Sequence, residues 1–374
     1  MKKVLILYKF LPQYRVDFFN QLREELYQRD IELTLIYGKM KDSHSSKKDE
    51  VDLSWAIYRE NKVIRLGKID LLWQPSLDYI HHADMVIVEQ ANKLILNYYL
   101  MFTRMFTKRK FAFWGHGRNM QEDEKNLKNR LKYFYIGFCD HWFAYTDSVK
   151  DFLISKKVPS DIITVVNNAI DTQTLRKQYL ECTESEVVKA KKELNITSNN
   201  IAVYSGSLYD IKKIDFLIEA AIAIREKIDD FQLIVIGSGP DSDIVENASK
   251  KHEWIHAVGA KFGQDRVVYF KMASLFMLPG AVGLAILDSF ATQTPIVTTD
   301  IPLHGPEIDY LDNNVNGIMT KFEAEEYVSR VISLFENKKQ LHDLENGCLV
   351  SSEKYTVEHM VDSFADGVEA CLKG

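Results

Sequence analysis

The segment Met277–Thr299 joins a strand end, the loop Gly280-Ala-Val-Gly283, an amphipathic stretch and a second apolar strand. Such a loop at a helix start presents unpaired backbone N–H groups where the helix dipole is partly positive, an arrangement suited to phosphate. Ala281, Val282, Gly283 and Leu284 are therefore read as N–H donors to an anion. Lys212 stands beside Lys213 at a predicted helix start. Two cations there oppose the dipole, and a bound anion accounts for the pair. Asp288 follows on the predicted helix among Leu287, Phe290 and Ala291, with a carboxylate able to accept from two vicinal hydroxyls. His116 lies between Gly115 and Gly117 after an apolar strand, at the mouth of a sheet where ligands bind, and its glycines permit close backbone approach.

These residues need a scaffold that brings strand ends together. Short β-branched runs alternate with helical patterns: Val4–Tyr8, Glu32–Tyr37, Met85–Glu89, Lys110–Trp114, Trp142–Tyr145 and Ile163–Val166 in the first half. Ile201–Ser205, Gln232–Ile236, Trp254–Val258, Leu275–Leu278 and Pro295–Thr299 repeat the theme in the second. The alternation predicts parallel sheets covered by helices, in two successive α/β domains, 1–172 and 173–356. The polar stretch from Asp171 to Asn200 reads as a linker followed by one surface helix, and a terminal helix over 357–374 is expected to return to the first domain. Gly237-Ser-Gly-Pro240 reads as a strand-to-helix turn, since it lacks the third glycine of a dinucleotide fingerprint.

With 374 residues, 46% of them hydrophobic and 27% charged, the chain can bury two ordinary cores. No apolar run approaches the roughly 20 residues of a membrane span, and Met1–Lys9 reads as a buried first strand rather than a leader, which predicts a cytoplasmic protein. A net charge of −6 argues against nucleic acid as the partner. Cys139, Cys182, Cys348 and Cys371 lie far apart, without disulfide or zinc-ligand spacing.

The order of several short motifs resembles the family-4 glycosyltransferases, retaining enzymes of the GT-B fold with two facing Rossmann-like domains. The motifs are Leu11-Pro-Gln-Tyr-Arg15, Trp114-Gly-His-Gly-Arg118, Ala144-Tyr-Thr-Asp147, Val166-Asn-Asn-Ala-Ile-Asp171, Tyr204-Ser-Gly-Ser207 through Lys212, Ile236-Gly-Ser-Gly-Pro240, Pro279 to Pro295, and His304-Gly-Pro-Glu-Ile308 with Asn316-Gly317. The resemblance implies transfer of a hexose from a nucleotide sugar, UDP-linked by expectation, to a growing glycan of a bacterial surface polysaccharide. It implies that Lys212 and the amides of Ala281–Leu284 neutralise the leaving diphosphate, that Gly206 approaches the donor, and that Asp288 clamps the ribose. By the same likeness His116 contacts the donor sugar or supports the reacting centre, Glu307 faces the base or the donor loop, and Tyr14, Arg15 and Arg118 stand on the acceptor side. Two positions depart from the family. Gly280 replaces a glutamate expected eight residues before Asp288, and Ser207 replaces an arginine that helps bind diphosphate, which shifts the phosphate grip to Lys212, the amides and a basic residue such as Arg118 or Lys261. No Asp-x-Asp metal motif is suitably placed, so no metal or other cofactor is expected.

Residues 93–110 combine Tyr98, Tyr99, Phe102 and Phe106 with a basic end at Lys108-Arg-Lys110, and residues 125–138 mix Lys and Arg with aromatic residues. These stretches predict peripheral contact with the inner membrane and a lipid-linked acceptor. Two other readings remain: a GT-B sugar-nucleotide epimerase, which needs no acceptor surface, and a non-catalytic sugar-nucleotide-binding partner of a transferase complex.

Overall fold

The computed structural model describes residues 1–39, 51–67, 69–117 and 133–374. Residues 1–170 and 357–374 make one compact unit, and 171–356 make the second.

The first unit holds a seven-stranded parallel sheet of β1 (Lys2–Tyr8), β2 (Ile31–Tyr37), β3 (Ile57–Tyr58), β6 (Met85–Glu89), β7 (Lys110–Gly115), β8 (His141–Ala144) and β9 (Ile163–Val165). Their order is β3-β2-β1-β6-β7-β8-β9, and a separate antiparallel hairpin joins β4 (Lys62–Leu66) to β5 (Ile69–Trp73). The central strands read as continuous apolar runs because helices cover both faces of such a sheet. The helix Val16–Gln28 turns Phe18, Phe19, Leu22 and Leu26 inward. The last helix, Val357–Lys373, lays Met360, Val361, Phe364 and Val368 on the same unit. Phe364 stacks on Phe143 with ring centroids 4.1 Å apart and also meets Trp114 and Phe18. Gly367 makes that approach feasible, since a Cβ there would stand 2.7 Å from the Phe143 ring. A mid-helix glycine otherwise costs about 0.5–1 kcal/mol.

The second unit carries a six-stranded parallel sheet of β10 (Ile201–Ser205), β11 (Gln232–Ile236), β12 (Ile255–Gly259), β13 (Leu275–Met277), β14 (Ile296–Thr299) and β15 (Gly317–Thr320). Their order is β12-β11-β10-β13-β14-β15. The expected linker is instead two helices, Thr172–Glu181 and Glu184–Glu193. Asp171 caps the first by accepting the Thr174 N–H, and Thr183 with Glu186 forms a capping box on the second. Leu175 packs with Val267 and Ala291, and Arg176 donates to the Ala291 carbonyl, so the first helix is a wall of the second unit. Its polar face hid this in the sequence.

Candidate functional site

In the second unit the strand order reverses between β10 and β13. In open α/β sheets ligands bind beyond the carboxyl ends of strands at such a reversal. The two loops that leave there are 206–213, which contains Lys212, and 278–284, which contains the glycine loop.

Lys212 ends the short 3₁₀ turn Asp210–Lys212, and Lys213 follows in the left-handed conformation at φ 55°. The Lys212 ammonium donates to the Ala281 carbonyl and lies 6.0 Å from the Tyr209 ring centroid. The backbones of the two loops also approach each other closely. A Cβ on Gly280 would fall 2.2 Å from the Lys212 carbonyl carbon, so only glycine lets the two loops meet. The absence of a glutamate at Gly280 thus has a steric cause in this chain.

The glycine loop is pinned residue by residue. Thr299 and Thr298 on β14 donate their hydroxyls to the carbonyls of Pro279 and Gly280, at 2.6 and 3.5 Å. The Ala281 N–H donates to the Ile211 carbonyl at 2.8 Å. The Val282 N–H donates to His304 Nδ1 at 3.0 Å, and the Gly305 N–H returns a bond to the Val282 carbonyl at 2.6 Å. The expectation of four unpaired N–H donors is therefore corrected. Ala281 and Val282 are buried and spend their amides on the protein, which leaves the partly exposed Gly283 and Leu284 as the loop's candidates for an outside acceptor. The helix that follows, Ala285–Ala291, has seven residues.

His304 organises the loop, a role that its place in the His304–Ile308 motif does not reveal. Its Nε2–H donates to the Thr299 carbonyl at 2.7 Å while Nδ1 accepts from Val282, which fixes one neutral tautomer. Burial holds its pKa below the ordinary value, and the nearby Lys212 ammonium acts in the same direction. Glu307 lies in the turn Pro306–Tyr310 and is 4% exposed. Its Oε2 is 3.8 Å from the point where a Cβ on Gly283 would sit, so the carboxylate leans on the glycine loop.

Asp288 does not have the expected freedom to clamp hydroxyls. Both its oxygens are taken by Arg266 in a fork, Nη1 to Oδ2 at 2.7 Å and Nη2 to Oδ1 at 2.8 Å, and the residue is 6% exposed. The carboxylate's charge, the largest influence, raises the Arg266 pKa against the cost of its burial. Arg266 was missed in the sequence because it stands on another helix, Gln264–Met272, with no local spacing to mark the pair.

The loop after β10 is braced from its other side. The Gly206 N–H donates to the Ile236 carbonyl at 3.0 Å, and the Tyr204 hydroxyl donates to the Ser207 carbonyl at 3.0 Å. Gly237-Ser-Gly-Pro240 is the turn between β11 and the helix Ser242–Lys251. A Cβ on Gly237 would lie 2.0 Å from the Gly206 carbonyl oxygen, so this glycine serves close loop packing.

In the first unit His116 follows β7 and is exposed, its ring centroid 4.3 Å from that of Tyr145 in an edge-on contact. Gly117 takes φ +66°, a conformation glycine adopts without strain. Tyr14 is 41% exposed. Arg15 is not on an accessible acceptor face: it is 1% exposed, and its guanidinium donates to Asn168 Oδ1, to the Ala169 carbonyl at 3.4 Å and to the Met360 sulfur at 3.6 Å. The rings of Tyr14 and Trp114 lie 5.1 and 5.2 Å from its guanidinium carbon. Arg15 thus ties the segment after β1 to residues 168–169 and the last helix. Arg118 lies outside the described residues. Among the described residues no group of three His, Cys, Asp or Glu is placed to hold a metal ion.

With this geometry in view, residues 187–347 match the family model of glycosyl transferases group 1. An uncharacterized glycosyltransferase of Haemophilus influenzae is 20% identical over 261 residues, 68% of each chain. The crystal structure of a glycosyltransferase from Rickettsia africae covers 100% of this chain and 99% of its own, with a TM-score of 0.72 and 15% identity. Anabaena HepE in complex with UDP covers 99% of this chain and 100% of its own, with a TM-score of 0.71 and 13% identity. The second unit thus contains a segment that matches the group 1 glycosyl transferases, and the chain, with its two parallel sheets, has the GT-B fold of the solved structures it resembles.

Proposed function

We propose that this chain transfers a hexose, with retention, from a UDP-sugar to a growing lipid-linked glycan in the assembly of a bacterial surface polysaccharide. The observation that carries the reading is Lys212, whose ammonium is held on the glycine loop at the strand-order reversal of the second unit. Departure of a nucleoside diphosphate builds negative charge as the anomeric carbon becomes cationic, and preorganised donors lower that barrier. Lys212 supplies the point charge, and the N–H groups of Gly283 and Leu284 supply directed donors. Glu307 serves the hydroxyls of the donor beside Gly283. The first unit is the acceptor-binding domain, with His116 serving the transfer and Tyr14 on the acceptor side.

A peripheral membrane contact, at the cytoplasmic face of the inner membrane, is supported by one surface. On the helix Ile95–Thr103 and the turn after it, Phe102, Met105 and Phe106 are 63, 70 and 72% exposed, with Lys108 following. No helix among the described residues is long and apolar enough to cross a membrane. Aromatic residues beside a lysine suit the interface of an anionic bilayer.

The test is a panel of nucleotide sugars read by thermal stabilisation and donor hydrolysis. The expected result is stabilisation by UDP and one UDP-hexose, with slow hydrolysis of that donor. Stabilisation by none of the panel overturns the reading.

A further inference from the structure

The first unit has its own strand-order reversal, between β1 and β6, and a polar cluster sits there that the donor reading does not use. The two strands pair in parallel with Leu7 opposite Val88, so Lys9 and Gln90 lie just beyond their carboxyl ends. The Glu89 carboxylate is held twice by Lys9, by its backbone N–H at 3.1 Å and by its ammonium at 3.2 Å. Asn97 donates from Nδ2 to the carbonyls of Glu89 and Ala91, at 2.9 and 3.3 Å, and so brackets Gln90 from both sides. The Gln90 N–H is spent on the Trp114 carbonyl at 3.1 Å. Gln90 itself is 7% exposed, yet neither its Oε1 nor its Nε2 has a hydrogen-bond partner, and Asn97 Oδ1 likewise has none.

Buried amide atoms are nearly always paired, and unpaired ones gathered at one place call for an occupant. Lys9 and Glu89 neutralise each other, and the remaining groups are neutral amides, so the cluster offers neither the excess positive charge that selects phosphate nor the excess negative charge that selects a cation. A primary amide donates and accepts side by side, and a sugar hydroxyl also does both. We infer that Gln90, with Asn97 and the Lys9–Glu89 pair, forms a subsite for the hydroxyl face of a neutral sugar ring. The subsite stands on the first unit alone; its assignment to the acceptor's sugar rests on the transferase reading above.

The experiment uses the full chain and a panel of methyl hexosides, with binding read by saturation-transfer NMR and UDP binding to the parent read by calorimetry. At least one hexoside is expected to bind the parent. Its signal should fall by about tenfold or more in both Gln90→Leu and Gln90→Met, while Tm stays level or rises because two unpartnered polar atoms are gone. A drop in Tm in both variants with hexoside binding intact makes the amide a structural group and overturns the subsite, as does a parent that binds UDP but no hexoside. Hexoside binding that depends on Gln90 in a parent that ignores UDP supports the subsite and removes the donor reading instead.

Discussion

The two strand-order reversals occupy the same topological place in their sheets and have opposite characters. In the second unit the residues from Pro279 to Val282 are pinned by β14 threonines, by His304 and by Lys212, whose ammonium lies at the loop crossing. In the first unit the corresponding corner is electrically balanced by Lys9 and Glu89, and the Gln90 side-chain amide and Asn97 Oδ1 are left unpaired. The scaffold is common to both; the side chains that follow the strands decide whether the corner suits an anion or a hydroxyl-rich ligand. A rigid, pre-bonded loop also holds its remaining donors in place before a ligand arrives, which is what stabilising a transient charge requires.

Four experiments break or sharpen that contrast. The largest effect is expected from Arg266→Met, which strands the buried Asp288 carboxylate and should cost about 3–5 kcal/mol in a urea titration. Replacing both members, Arg266→Met with Asp288→Leu, should recover much of it; no recovery would mean that the fork does more than satisfy itself. Next comes Lys212→Met, expected to lower kcat about 100- to 1,000-fold while Tm moves little. An unchanged kcat removes the ammonium from the chemistry. Gly280→Ala forces a methyl group into the Lys212 backbone and should cost about 1–3 kcal/mol, with weakened UDP binding. Wild-type stability in that variant would show that the loops can part without loss.

The smallest effect concerns pH. Burial depresses the pKa of His304 and of His256, and pushes that of His141 from the ordinary 6.5 to about 4. The folded chain then binds fewer protons than the unfolded chain. The corresponding stability is present above the unfolded pKa near 6.5 and is lost as pH falls through that value toward the folded ones. Urea midpoints at a series of pH values should fall over this window, and His141→Gln should flatten the fall by its share. An identical slope in that variant removes His141 as a contributor.

Much of this frame was readable in advance, and the reasons differ by region. The central strands announced themselves because burial on both faces enforces unbroken apolar runs, and β10 and β11 occur at the expected residues. The hairpin of β4 and β5 gave no such sign, since Val63 and Ile64 are exposed and their pattern is not one of burial. Lys212 and the glycine loop were readable as neighbours in chemistry, but Gly280 was read as a missing carboxylate when its explanation is a backbone 68 residues away in the chain. The same holds for Asp288, whose partner lies on a different helix, and for Arg15, which is covered by the distant rings of Trp114 and Tyr145 as well as by its neighbours Tyr14 and Phe18. One-dimensional spacing records local geometry; it does not record which charge is already answered elsewhere.

The last helix has a consequence for the order of assembly. Because Phe364 and its neighbours fill the first unit, that unit stays incomplete during synthesis until residues 357–374 have left the ribosome, although the second unit's whole segment has emerged by then. Deleting residues 357–374 therefore wounds the half made first.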